Sequence, residues 1–150
     1  QFIEWDFSKE LDWFILDYDL HKKMQTYVKD LNKFYLDNPP LWQNDTDWGG
    51  FQWIVCDDNT QSVVAFRRMC GNTEVIVICN FCPVHHPDYR IGLPRAGTYE
   101  VLLNSDNPAY GGGGTEVHPV RAKRESMHGL PYSGSFSVPP LSVQFYRRKS

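Results

Sequence analysis

The sequence predicts a mainly β protein, an antiparallel β-sandwich entered through a helical lead-in. Two observations carry this. Up to Pro40, apolar residues recur at three- and four-residue steps, the period of a helix that buries one face. Beyond Pro40 that period vanishes, and short runs of β-branched and aromatic residues follow, separated by turn signals. The chain therefore divides into a helical segment, 1–40, and an all-β domain, 41–150. A chain of 150 residues can bury a core without staples.

A short helix is expected over 9–16. The main helix follows, with Leu20, Met24, Tyr27, Val28, Leu31, Phe34 and Tyr35 on one broad stripe. Lys22, Lys23, Gln25, Thr26, Lys29, Asp30, Asn32 and Lys33 fill its polar side. Asp17 or Asp19 is placed to cap its start, and Pro39-Pro40 ends it. Such a helix cannot bury its stripe alone, so it must dock on the β domain or on something absent from this chain, with self-association through a second copy as one such use. Strands are expected over 51–56, 62–68, 74–81, 98–104, 116–122, 135–138 and 141–147. Between them stand Asp57-Asp58-Asn59, Cys70-Gly71-Asn72, Arg95-Ala96-Gly97 and the run Gly111 to Gly114. Trp53 alternates with Phe51 and Val55, which places it on the core face. No Lys-Ser/Thr and no helix follows the glycine run, so it reads as a loop and not a phosphate cradle.

A formal charge of −3 argues against nucleic acid as a partner. The short basic patches, such as Arg67-Arg68 and Arg147-Arg148-Lys149, read as solvated strand ends. No apolar run approaches the ~18 residues that would cross a membrane. The first residues lack a basic signal region and an initiator Met, which suggests a processed chain or a piece of a longer one. Four cysteines are too few for a disulfide scaffold of this size, and a reducing cytoplasm is the expected location.

The stretch Cys79-Asn80-Phe81-Cys82-Pro83-Val84-His85-His86 offers CxxC spacing with two histidines beyond. On a strand, residues three apart point to opposite faces, so Cys79 and Cys82 share a metal only if the strand breaks between them. Adjacent histidines are awkward joint ligands, and a redox CxxC opens a helix in an α/β pattern, which is absent here. Cys79 reads as a core residue and Cys82 as a strand-end residue. No metal, cofactor or catalytic residue is assigned: no nucleophile motif is present, and no carboxylate pair is placed to flank a sugar. The tryptophans gather in the first third, and Trp5 and Trp13 lie in the irregular entry, where exposure suits stacking on a sugar ring.

Several motifs in series then carry a resemblance. "EWDFSKELDWFILDYDLHKKMQTYVKDLNKFY", "GGFQWIVCDDNTQSVVAFRR", "VICNFCPVHHPDYRIGLPRAGTYEVLLNSD" and "HGLPYSGSFSVPPLSVQF" resemble, in order, the end of the catalytic barrel and the C-terminal β domain of bacterial 1,4-α-glucan (glycogen) branching enzymes. These belong to the α-amylase superfamily. The resemblance implies an α-amylase C-terminal type of sandwich preceded by the last helices of a (β/α)8 barrel. It implies transfer of α-1,4-glucan segments to 6-hydroxyls by a retaining mechanism, with an Asp nucleophile, a Glu acid/base and a second Asp, all upstream of Gln1. It implies α-glucan and the barrel as partners. Trp5, Asp12 and Trp13 are the candidate sugar contacts. Cys82 stands where the family commonly has Thr. The alternatives are a stand-alone carbohydrate-binding module, which has no use for barrel helices, or the tail of another α-amylase-type enzyme such as a debranching one.

Overall fold

The computed structural model describes residues 2 and 4–149. A 3-10 turn, Trp13–Asp17, stands where the short helix was expected. Helix α1, Asp19–Asp37, follows. Its N-cap is Tyr18, whose side chain makes no capping bond, so neither Asp17 nor Asp19 caps it. Asp19 sits instead in the first turn, where a carboxylate meets the positive end of the helix dipole, and Lys23 pairs with it at 2.9 Å one turn on. Asn38 ends the helix, and Pro39–Leu41 forms a second 3-10 turn.

The β domain comprises β1 (Phe51–Asp58), β2 (Val63–Cys70), β3 (Thr73–Asn80), β4 (His86–Leu93), β5 (Thr98–Asn104), β6 (Val120–Arg121), β7 (Tyr132–Val138) and β8 (Ser142–Arg148). A six-stranded antiparallel sheet runs β1-β2-β3-β8-β5-β6, and a two-stranded sheet pairs β4 with β7. Both sheets feed one apolar cluster. Ile76, Ile78 and Tyr146 of the larger sheet join Ile91, Leu93 and Phe136 of the smaller one, and all six are fully buried. Phe136 meets Tyr146 edge-to-face at 4.8 Å. This is the expected antiparallel sandwich.

Three further expectations, beyond the short helix and its neighbour's cap, need correction. Strand β4 was not foreseen, because Pro87 breaks its run. The ladder with β7 is irregular between His86 and Tyr89, where that proline removes a donor. The strand expected over 116–122 shrinks to Val120–Arg121, directly after Pro119. Trp53 does not lie in the core. The register shifts between Trp53 and Val55, so Ile54 and Val55 are buried in succession, and Trp53 is turned outward, 48% exposed, against Phe51 and Phe66.

Helix α1 docks on the outer face of the larger sheet. Leu31, Phe34 and Tyr35 of the helix and Phe66, Val77 and Phe145 of the sheet line the same apolar cleft. Phe34 and Phe145 stand 4.9 Å apart. Tyr27 packs on Tyr110 at 5.2 Å, and the Tyr110 hydroxyl donates to Asp30 Oδ2 at 3.0 Å. The helix thus uses only part of its stripe on the sheet. Leu20, Met24 and Val28 remain exposed, while Ile15 and Leu16 of the preceding turn border Met24 and Val28.

Candidate functional site

The three candidate contacts all precede α1. Trp5 is 65% and Trp13 60% exposed. Trp13 opens the 3-10 turn, and Asp12 stands at its N-cap. Asp12 accepts the Phe2 amide at 3.0 Å through Oδ2, which folds the first residues back over the turn. Phe2 then stacks on Phe14 at 5.8 Å and meets Tyr18 edge-on at 6.2 Å. The lead-in is therefore held by an aromatic cluster, while the rings of Trp5 and Trp13 are left largely to solvent. That is the disposition a sugar-stacking ring needs, and equally that of a ring waiting for a protein surface.

A second exposed aromatic group lies on the sheet. Trp53 meets Phe66 at 5.7 Å and Phe51 at 5.0 Å. Strict alternation along the sequence puts Trp53 inside and so hides this group. Only the register slip beside Ile54 reveals it.

The cysteine stretch has a different centre from the one its spacing suggests. Asn80, almost fully buried, donates through Nδ2 to the carbonyls of Val84 at 2.8 Å and Pro139 at 2.9 Å, and its Oδ1 accepts the Cys82 amide at 2.9 Å. One side chain thus ties the β3–β4 turn to the β7–β8 turn, and it satisfies its own buried amide in doing so. Cys79 is partly buried beneath α1, and that burial pushes its thiol above the usual range, the opposite of an activated thiolate. All four cysteines are free, and among the described residues no group of three or more His, Cys, Asp or Glu side chains converges. His85 bonds Ser137 Oγ at 2.9 Å, and His86 pairs with Val138 in the ladder, so both serve the β4–β7 sheet.

Tyr89 and Asp58 form another polar contact inside the β domain. The phenol donates to Asp58 Oδ2 at 2.7 Å, which pulls the carboxyl below its usual range. Burial and that same bond push the Tyr89 phenol up. The pair links β4 to the β1–β2 turn and offers no free nucleophile. Asp106 is likewise structural: buried, it accepts the amides of Gly113 at 2.7 Å and Thr115 at 2.8 Å, which folds the glycine run into a fixed loop.

Residues 53–149 match the family described as "Alpha amylase, C-terminal all-beta domain". The chain is 41% identical over 150 residues to the 1,4-alpha-glucan branching enzyme GlgB of Halothermothrix orenii, covering 98% of this chain and 24% of that protein. It is 42% identical to GlgB of Prochlorococcus marinus strain MIT 9211, covering 96% and 19%, and 40% identical to GlgB of Aliivibrio fischeri, covering 99% and 21%. The chain thus spans a quarter or less of the length of these relatives.

Proposed function

Because this chain belongs to the α-amylase C-terminal all-β domain family, we propose that it is the tail of a 1,4-α-glucan branching enzyme and braces that enzyme's catalytic barrel. The full protein would cleave an α-1,4-glucan and transfer the piece to a 6-hydroxyl, the reaction that the resemblance implies; its relatives are named as 1,4-alpha-glucan branching enzymes. Its three carboxylates would lie in the part of the protein not present here, so this chain by itself would carry no branching activity. Residues 1–40 would be the last helical portion of the barrel. Four free thiols suit a cytoplasmic protein.

One observation carries the bracing role. Helix α1 is fixed to the sheet along Leu31 and Phe34, while Leu20 (68%), Met24 (57%) and Val28 (44%) stay exposed on the same helix. A contiguous apolar face of this kind is uncommon on a finished surface. In the full-length protein, Met24→Glu with Val28→Glu places two charges on that face. Branching, followed by the fall in iodine absorbance of amylose, should be lost, while the isolated chain keeps its melting temperature. Unchanged activity and stability in the full-length double variant would defeat the reading.

A second role, contact with α-glucan through Trp5, Asp12 and Trp13, is supported by the exposure of both rings and by Asp12 Oδ1, which has no hydrogen bond among the described residues. Sugar recognition combines such faces with a nearby carboxylate acceptor. Self-association through the exposed face of α1 is the use that competes with bracing, and sedimentation of the isolated chain tests it.

A further inference from the structure

Glu74 of β3 is only 7% exposed. Its Oε2 is held by Arg67 Nη1 at 2.9 Å, and Arg67 Nε in turn donates to Gln52 Oε1 at 2.8 Å. Its Oε1 is buried and has no hydrogen-bond partner. The residue lines a cavity of about 90 Å³ together with Asn72, Thr73, Arg95, Arg147 and Arg148. The Tyr99 hydroxyl donates to the Arg95 carbonyl at 3.1 Å and so fixes that wall. Arg95 Nη1 reaches the Asn72 carbonyl at 3.3 Å, and Arg147 Nη2 donates to Asn38 Oδ1. Among the described residues, none of Arg95, Arg147 and Arg148 has an acidic partner in salt-bridge range.

Two requirements follow for whatever fills this space. Arg67 already balances Glu74 and the Arg147 guanidinium is taken by Asn38, so the guanidinium groups of Arg95 and Arg148 are the ones left to meet an anion. The orphaned Glu74 Oε1 calls for a hydrogen-bond donor, because a buried carboxylate oxygen without one is costly. Water supplies the donor and not the charge. Sulfate supplies the charge and not the donor. A phosphate group that retains a proton supplies both. We propose that this cavity binds a protonated phosphate group, either inorganic phosphate or a phosphate monoester of a small alcohol. Its O–H is accepted by Glu74, and its charge is met by Arg95 and Arg148. The site stands apart from the helix face and from the tryptophans, and it does not rest on the branching-enzyme reading.

The test is calorimetric titration of the chain with sodium phosphate and with sodium sulfate, at matched ionic strength and about pH 6, where phosphate groups keep a proton. Saturable phosphate binding, at least about tenfold tighter than sulfate, is expected, since a site built to accept a hydroxyl rejects the analogue that lacks it. Arg148→Gln and Arg95→Gln should each weaken phosphate about tenfold or more. Glu74→Gln should erase the preference over sulfate, because an amide can donate where the carboxylate cannot. That variant keeps an acceptor for Arg67 but loses the ion pair, so its fold is checked by melting; Arg95, at the exposed mouth, gives the independent variant. Glycerol 1-phosphate binding as well as inorganic phosphate assigns the site to monoesters, and its exclusion assigns it to the free ion. Equal affinity for phosphate and sulfate, or no saturable binding of either, overturns the proposal.

Discussion

The ring of Phe34, on α1, lies 4.9 Å from the ring of Phe145, on β8, at a tilt of 59°. This contact decides where the helix sits. It draws the stripe's Leu31–Phe34 side onto the sheet and leaves Leu20, Met24 and Val28 facing outward. Phe34 is half-buried, so truncation should cost less than a full core cavity. Phe34→Ala is expected to destabilise the chain by about 2 kcal/mol and to speed hydrogen exchange along α1 ahead of the strands. Leu36→Ala, at an exposed position of the same helix, should change stability by less than ~0.5 kcal/mol. Equal effects of the two would mean that the helix is not held by this contact.

The Tyr89–Asp58 bond predicts a two-sided pH dependence. Asp58 titrates below its ordinary 3.8 in the folded chain, so its contribution is complete above about pH 4 and is lost as pH falls through the folded value. Tyr89 titrates above its ordinary 10.0, so its contribution is complete below that pH and is lost as pH rises past it. Tyr99, pushed up to about 12 chiefly by burial, adds to the alkaline loss. Tyr89→Phe should cost about 1–2 kcal/mol at neutral pH and flatten both limbs of a melting-temperature profile. A profile parallel to that of the parent would show that the bond is not formed in solution.

Asn80, and not either cysteine, should control the stability of the β3–β4 turn. Asn80→Ala leaves the Val84 carbonyl and the Cys82 amide without this partner, while the Pro139 carbonyl keeps the Ser142 hydroxyl at 2.8 Å; the loss should cost about 2 kcal/mol. Cys82→Ala keeps all three contacts intact and should be nearly neutral. Urea unfolding of the two variants checks this. A stoichiometric zinc in the purified chain, lost with Cys82→Ala, would restore the metal reading instead.

Much of the fold was legible because hydrophobic period is local. The stripe from Leu20 to Tyr35 and the run ending at Cys79 announce a helix and a buried strand without reference to the rest of the chain. What escaped depends on contacts distant in sequence. Pro87 disguised β4, which is held by β7 some forty residues on. The slip beside Ile54, which reverses Trp53, exists only in the pairing of β1 with β2. Gly112 looked like one of four interchangeable glycines, yet a Cβ there would meet the Asp106 carbonyl carbon and oxygen at 2.2 Å. Asn80 carried no signal of its own, because its partners Val84 and Pro139 lie on two different turns. Of the candidate site, the exposure of Trp5 and Trp13 was legible from their irregular surroundings, whereas the arginine-lined cavity draws on residues from 72 to 148 and has no local pattern.

Glucan contact by the lead-in makes the last prediction, and the structure supplies its control. Trp13 and Trp53 are both exposed, on different elements and with different neighbours. Trp13 has Asp12 beside it to accept a sugar hydroxyl; Trp53 stands edge-on to two phenylalanines, which spends part of its face on its own sheet. Titration with maltoheptaose, followed by tryptophan fluorescence, should therefore show saturable binding that Trp13→Ala weakens about tenfold, the loss of one stacked ring being worth roughly 1–2 kcal/mol. Asp12→Asn keeps a carbonyl acceptor and should weaken binding less than Trp13→Ala. Trp53→Ala should leave the affinity unchanged. If Trp53→Ala abolishes binding while Trp13→Ala does not, the glucan surface lies on the β1–β2 face, and the lead-in tryptophans are left to the protein surface that α1 also awaits.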